Sequence, residues 1–315
     1  MMTLARFLAL SFVVSLAAAC HDEPATPAEE PAFTLELAVD VAPHTEAWMC
    51  WVGPLHSLDE AVAVRKIESW QTPGMHHMDL AAIDFVDADI APGLHDCNDL
   101  YAEVPSLMED MMTLYGAQEE HQAFELPEGV AAVLPGVLNV MFEIHFVNAS
   151  NVPVTASAKI AAWSMPVKDV EEGIWGTVVR DNEIAIPPMS RTTEWTRCTM
   201  TDAVDLLAMS SHTHQYGKRV AVHAFDGAGE TTKIPLYVNE EWDRPLIKEW
   251  MQEPVKVAAG AGFEFRCEYE NATDLPVAWG FTSEDEMCSV TLVFTPGDLT
   301  IDCTVVDSGT ITSPL

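Results

Sequence analysis

Basic residues are scarce in this chain. Its 315 residues include 15 Lys+Arg against 49 Asp+Glu, a formal charge of −34. A surface of that sign repels phosphate backbones and anionic headgroups, which excludes nucleic acid and polybasic membrane docking as partners. Long apolar runs are also lacking. The one candidate, Phe7 to Ala19, falls short of the roughly 20 residues that span a bilayer. No two cysteines show the Cys-x-x-Cys spacing of a zinc or redox site, and no internal repeat links one part of the chain to another. What is present is core material: 49% of residues are hydrophobic, with nine Trp and twelve Phe, so the acidity belongs to a folded protein rather than a disordered one.

Arg6 followed by the Phe7–Ala19 run reads as a secretory signal over 1–19. Leu16-Ala17-Ala18-Ala19-Cys20 resembles the lipobox of bacterial lipoproteins, in which the cysteine is lipidated and becomes the mature N-terminus. On that reading Cys20 carries the only membrane attachment, an N-terminal lipid anchor, and the protein is exported to the bacterial periplasm or cell surface. Plain cleavage after Ala19 is the other reading. Residues 20–32 are rich in Pro and Glu with no apolar period, the pattern of a disordered tether.

Beyond Phe33 the signal is strand. Phe33, Leu35, Leu37 and Val39 alternate with polar or small residues, as do Phe142, Ile144 and Phe146, Val220 and Val222, and Phe263 and Phe265. Turn dipeptides such as Pro187-Pro188, Asp226-Gly227 and Pro296-Gly297 punctuate the runs. The expected class is all-β: two tandem antiparallel jelly-roll-like β-sandwich domains, 33–166 and 167–315, divided near Pro166–Gly173. Leu107, Met108, Met111, Met112 and Tyr115 recur at helical spacing and predict a short amphipathic helix within 105–115. Besides Cys20 there are six cysteines, Cys50, Cys97, Cys198, Cys267, Cys288 and Cys303. Export and an even count predict three bridges, with 15 connectivities open.

Five of the eleven histidines stand in special settings. His212 and His214 are two apart, which on a strand puts both imidazoles on one side, a metal-ligand geometry. His145 faces away from Phe142, Ile144 and Phe146. His76 and His77 are adjacent and would point to opposite faces of a regular strand, so a kink is required for both to meet one ion; Gly74 permits it.

In order along the chain, His76-His77-Met78, the single His145, His212-Thr213-His214 followed by Gly217, and Glu286-Met287-Cys288 resemble the motifs of the copper type II, ascorbate-dependent monooxygenases over about 45–305. The resemblance implies two copper ions. His76, His77 and His145 would hold the electron-transfer copper in the first domain. His212, His214 and Met287 would form the catalytic, oxygen-binding site in the second. It also implies a solvent-filled cleft between them, a reductant (ascorbate or an equivalent), O₂ and a small-molecule substrate hydroxylated at a C–H bond. The bridges implied are Cys50–Cys97, Cys198–Cys303 and Cys267–Cys288. Three imidazoles suit a cycling copper and a thioether favours Cu(I); read without the resemblance, Met287 is core filler. Glu143 shares a face with His145 and is the expected support for a ligand.

Two departures bear on substrate. Ser210 stands where the peptide-hydroxylating members carry an arginine, and Ser289 and Thr291 stand where they carry Asn and Tyr, so these three mark the candidate substrate pocket. The rival from another class is a non-enzymatic exported copper-binding lipoprotein using the same ligands. A cupin-type oxygenase expects Glu four residues after the second His of His-x-His, where this chain has Lys218.

Overall fold

The computed structural model describes residues 29–55, 60–282 and 284–315. The signal segment, Cys20 and most of the tether lie outside the described residues. Pro31–Leu315 forms one compact unit. The alternation at its start produces the strand Phe33–Val41, with Phe33, Leu35 and Leu37 buried and Thr34 and Glu36 exposed. That strand edges a sheet ordered Phe33–Val41, Val154–Met165, Val62–Gln71, Val130–Leu134 and Glu172–Gly173, with His121–Glu125 also paired to Val62–Gln71. A second sheet runs Gly93–Asp96, Thr45–Pro54, Asn139–Asn148, Met75–Ala82, Met112–Ala117. Apolar side chains from both, among them Leu35, Ile160, Met78, Leu80, Phe142 and Ile144, make one core.

The C-terminal part repeats the arrangement. One sheet is ordered Trp175–Arg180, Ser289–Thr295, Val204–His212, Lys248–Glu249, with Val255–Val257 also paired to Val204–His212. The other is Tyr237–Asn239, Gly217–Phe225, Gly262–Asn271, Ser190–Met200, Cys303–Pro314. Leu206, Val290, Leu292 and Phe294 from the first meet Val220, Val222, Phe263 and Phe265 from the second in a separate core. The class is all-β, as the alternation predicts, and the strand pairs are antiparallel apart from the short parallel pairing of Glu172–Gly173 with Val130–Leu134. Burying those eight side chains contributes on the order of 1.5–3 kcal/mol each, enough to outweigh the weak local preference of short strands.

All three bridges form with the partners that the resemblance implies: Cys50–Cys97, Cys198–Cys303 and Cys267–Cys288. They fit a protein made for an oxidising compartment. Among the described residues no helix is long and apolar enough to cross a membrane. The helix expected within 105–115 shrinks to Leu107–Asp110, because Met112–Ala117 pairs with Met75–Ala82 as an edge strand; sheet pairing overrides the helical spacing of the methionines. A second helix, Cys97–Glu103, has Asp96 as its cap, the side chain accepting from the Asn98 N–H.

Candidate metal centre and cavity

His76 and His77 lie on the strand Met75–Ala82, next to His145 on Asn139–Asn148. The register between these strands pairs Met75 with Phe146 and His77 with His145, so His76 is one extra residue in a bulge. Gly74, just upstream at φ 86, supplies the turn. The bulge does what the sequence required: adjacent histidines reach one point. The Nδ1 of His76 stands 3.2 Å from Nδ1 of His145 and 3.1 Å from Nδ1 of His77. The outer nitrogens of the other two are held. Nε2 of His77 is 2.9 Å from a Glu143 carboxylate oxygen, and Nε2 of His145 is 3.2 Å from Glu46.

Glu143 is buried and also accepts from Trp48 Nε1 at 2.6 Å and the Tyr101 hydroxyl at 2.8 Å. Burial presses its carboxyl up, but the His77 hydrogen bond and charge, then Trp48 and Tyr101, pull it below the usual range. Burial presses His77 down, yet Glu143 and Asp79 outweigh it and leave the imidazole above its ordinary value. Glu143, the expected support for a ligand, serves His77, and His145 leans on Glu46.

His212 ends the strand Val204–His212, and His214 lies just past it. Strand parity alone therefore does not place the pair. Glu286 does: its carboxylate accepts from the N–H groups of His214 at 2.9 Å, Tyr216 at 2.7 Å and Met287 at 3.2 Å, tying the His214 turn to the Met287 segment. Burial lifts that carboxyl to about 7 against those bonds. Tyr269 donates to the Met287 carbonyl at 2.7 Å, and the Cys267–Cys288 bridge adjoins it. Nδ1 of His214 is 3.0 Å from the Asp285 carbonyl and Nδ1 of His212 is 3.2 Å from Gln118 Oε1, which leaves Nε2 of each ring unengaged by these bonds. Burial, chiefly, lowers His214 to about 4 and His212 well below the ordinary range.

Among the described residues no cleft of the kind expected separates the two sets. The His76 ring lies 6.1 Å from His212 and 5.5 Å from His214, and His77 lies 6.3 Å from His212. Gln118 stitches the sets together, donating from Nε2 to the His76 carbonyl at 3.1 Å while its Oε1 faces His212. Burial and the surrounding imidazoles hold His76 far below its ordinary value, and burial first of all lowers His145 as well, so these two imidazoles, with His212 and His214, favour the neutral form that donates to a metal, whereas His77 is the one raised by its carboxylates. Gln118, Glu46 and the Asp285 carbonyl carry no sequence pattern that would single them out.

A cavity of about 370 Å³ opens beside this cluster, with His77, His212, His214 and Met287 in its wall. The three candidate pocket residues Ser210, Ser289 and Thr291 all line it, so the structure brings them to the same space as the second ligand set. The rest of the wall is largely apolar, including Leu80, Leu114, Met111 and Trp175.

The donor atoms fit a metal. One ion about 2.0 Å from each of three nitrogens spaces them about 3.3 Å apart, and the Nδ1 atoms converge at 3.1 and 3.2 Å with outer nitrogens on carboxylates. Imidazole nitrogens suit copper among a few metals, and a thioether in the same wall narrows the choice towards Cu(I). The class is thus an exported-type all-β protein with histidine and methionine donors gathered at an apolar cavity. Residues 171–307 match the family model described as copper type II ascorbate-dependent monooxygenase, C-terminal domain, so the C-terminal part of this chain is similar to that domain. No curated protein matches the chain at a significant level.

Proposed function

We propose that the protein is a copper-dependent monooxygenase that hydroxylates a C–H bond of a small organic substrate, using O₂ and an external one-electron reductant such as ascorbate. The observation that carries the reading is the closeness of two donor sets, His76/His77/His145 and His212/His214/Met287, beside one largely apolar cavity whose wall includes His77, His212, His214 and Met287. Copper bound at the two sets supplies one-electron redox chemistry and O₂ activation. The chain's own part is positional. Glu143 and Glu46 fix the proton on Nε2 of His77 and His145 and turn Nδ1 inward, whereas the Asp285 carbonyl and Gln118 do the reverse for His214 and His212. Glu286 fixes the backbone on either side of the second set. The cavity wall excludes water and holds the substrate beside His212, His214 and Met287. The first set belongs to the 33–166 domain and serves electron transfer; the second belongs to 167–315 and is where oxygen reacts.

Export through the 1–19 signal and attachment through Cys20 complete the reading, and intact-mass measurement of membrane-extracted protein tests them: a diacylated Cys20 is expected, and an unmodified chain starting at Cys20 or His21 overturns the anchor. The activity itself is tested by supplying copper-loaded protein with reductant, ¹⁸O₂ and a cell-extract metabolite library. A product carrying one ¹⁸O atom is expected. Tight copper binding with no ¹⁸O product favours the non-enzymatic copper-binding lipoprotein.

A further inference from the structure

Arg180 ends the strand Trp175–Arg180 and lines the cavity. Burial lowers its pKa, and the opposing influences are the charges of Asp79 and Tyr101; no hydrogen bond or ion pair engages the guanidinium among the described residues. This is unusual company for a cation. The chain has only 15 Lys+Arg against 49 Asp+Glu, and Arg65, Arg191, Arg197, Arg219, Arg244 and Arg266 all form ion pairs. An arginine cannot shed its charge, and it presents five N–H donors in a planar fork that matches a carboxylate. Left facing an apolar cavity with its donors unused, it calls for an anion.

The strand register says where that anion would sit. Arg180 is directly opposite Ser289, and Ser289 is directly opposite His212, so the three form one row across the sheet. Further along the same face the next row is Val178, Thr291 and Ser210, which still carries two hydroxyls, and the row after it is apolar and small: Gly176, Val293 and Ala208. Four residues along a strand cover about 13 Å. The floor is thus cationic and polar at the metal end, carries two hydroxyls beside Val178 in its middle row, and is apolar beyond that, with room made by a glycine and an alanine.

We propose that the cavity binds an amphipathic organic acid, its carboxylate gripped by Arg180 and its apolar body lying along Val178, Gly176 and Val293. This rests on the monooxygenase reading for its consequence, since Ser289 adjoins both Arg180 and His212 and so the carbons next to the acid lie beside the second ligand set. The binding itself does not need the metal. Asp79 leaves donors on the guanidinium free, because it stands beyond ion-pair distance.

The test is calorimetric titration of the full chain, copper-free and copper-loaded, with 4-phenylbutanoate and with its neutral counterpart 4-phenylbutan-1-ol. The acid should bind wild-type protein at least tenfold more tightly than the alcohol. Arg180→Met should erase that preference, weakening the acid at least tenfold and the alcohol less than threefold, and Arg180→Lys should retain part of it. Val178→Trp, which fills the apolar end, should weaken both compounds. Equal binding of acid and alcohol, failure of the acid to bind, or a preference that survives Arg180→Met overturns the proposal. Should Arg180→Met not fold, the wild-type comparison with Arg180→Lys decides. Copper content of the same samples separates the two claims: full copper loading without acid preference sinks only this inference, whereas acid preference without copper binding sinks only the monooxygenase reading.

Discussion

Glutamine at position 143 would keep the shape of the side chain and remove its charge. In the native protein one carboxylate oxygen of Glu143 serves Trp48 at 2.6 Å and His77 at 2.9 Å, and the other accepts from Tyr101 at 2.8 Å. In Glu143→Gln the amide oxygen can take over the first pair, and the amide N–H₂ can donate to the Tyr101 oxygen, which accepts as readily as it donates. Hydrogen bonds are conserved in number. The lost charge assistance is offset by no longer burying a carboxylate, so unfolding stability should fall by no more than about 1–2 kcal/mol. His77 feels the change more. The carboxylate holds its imidazole above the ordinary value against burial; without it the ring becomes a weaker base, and copper affinity at the first set should drop about 10–100-fold, or about 1.4–2.7 kcal/mol. Glu143→Leu is the contrast. It strands three buried donors at about 1–3 kcal/mol each and should destabilise the fold by at least about 3 kcal/mol. Urea unfolding of copper-free protein and competitive Cu(I) titration read the two effects separately. The reasoning is refuted if glutamine destabilises as much as leucine, or if it folds normally and binds copper with unchanged affinity.

Met287→His should preserve the melting temperature within a few degrees, because the side chain is only part-buried in the cavity wall, while X-ray absorption of the reduced protein loses a Cu–S path present in the wild type; a wild-type spectrum without sulfur removes Met287 from the site. Replacing Cys267 and Cys288 by alanine opens a bridge of sequence separation 21 and should cost about 3 kcal/mol in thermal unfolding. It should also broaden the Cu–S signal by loosening Met287, and an unchanged signal breaks the link between bridge and site. Glu264 is buried and accepts from Arg197 at 2.6 Å and Arg266 at 2.7 Å, and these guanidiniums pull its carboxyl below the ordinary 4.5 against the lift from burial. Its stabilisation is therefore present above pH 4.5 and lost as pH falls through the lower folded value. Glu264→Gln should cost about 1–2 kcal/mol at pH 7, discounted for the partly exposed arginines, and the gap to wild type should close in acid; a gap independent of pH between 7 and 3 contradicts the pairing.

Much of the framework was legible because it is local. The Phe33–Val39 alternation specifies a strand whatever it pairs with, and the need for a kink that brings His76 and His77 to one side follows from the period of two; the structure supplies it as a bulge at His76. Order and spacing of the histidine and methionine motifs led to the resemblance, which the match over 171–307 supports for the C-terminal part, and through it to the three bridges. What the sequence hid depends on packing between distant segments. Glu143 supports His77 rather than His145 because the neighbouring strand, not its own, presents the nearer nitrogen. Gln118 joins His76, 42 residues before it, to His212, 94 residues after it, a contact no periodicity announces. The closeness of the two ligand sets, and an Arg180 without a hydrogen bond or ion pair among the described residues, are likewise products of how the sheets face each other. The methionine spacing over 105–115 misled for the same reason: an edge of the Met75–Ala82 strand was open for pairing, and Met112–Ala117 took it.

Copper per chain is the most direct test of the central claim that two separate donor sets bind metal. Native mass spectrometry of full-length protein titrated with Cu(I) should show saturation at two copper ions. His76→Ala with His77→Ala should leave one, and His212→Ala with His214→Ala should leave one as well. A wild type that saturates at a single copper, or a double variant that still binds two, contradicts the account.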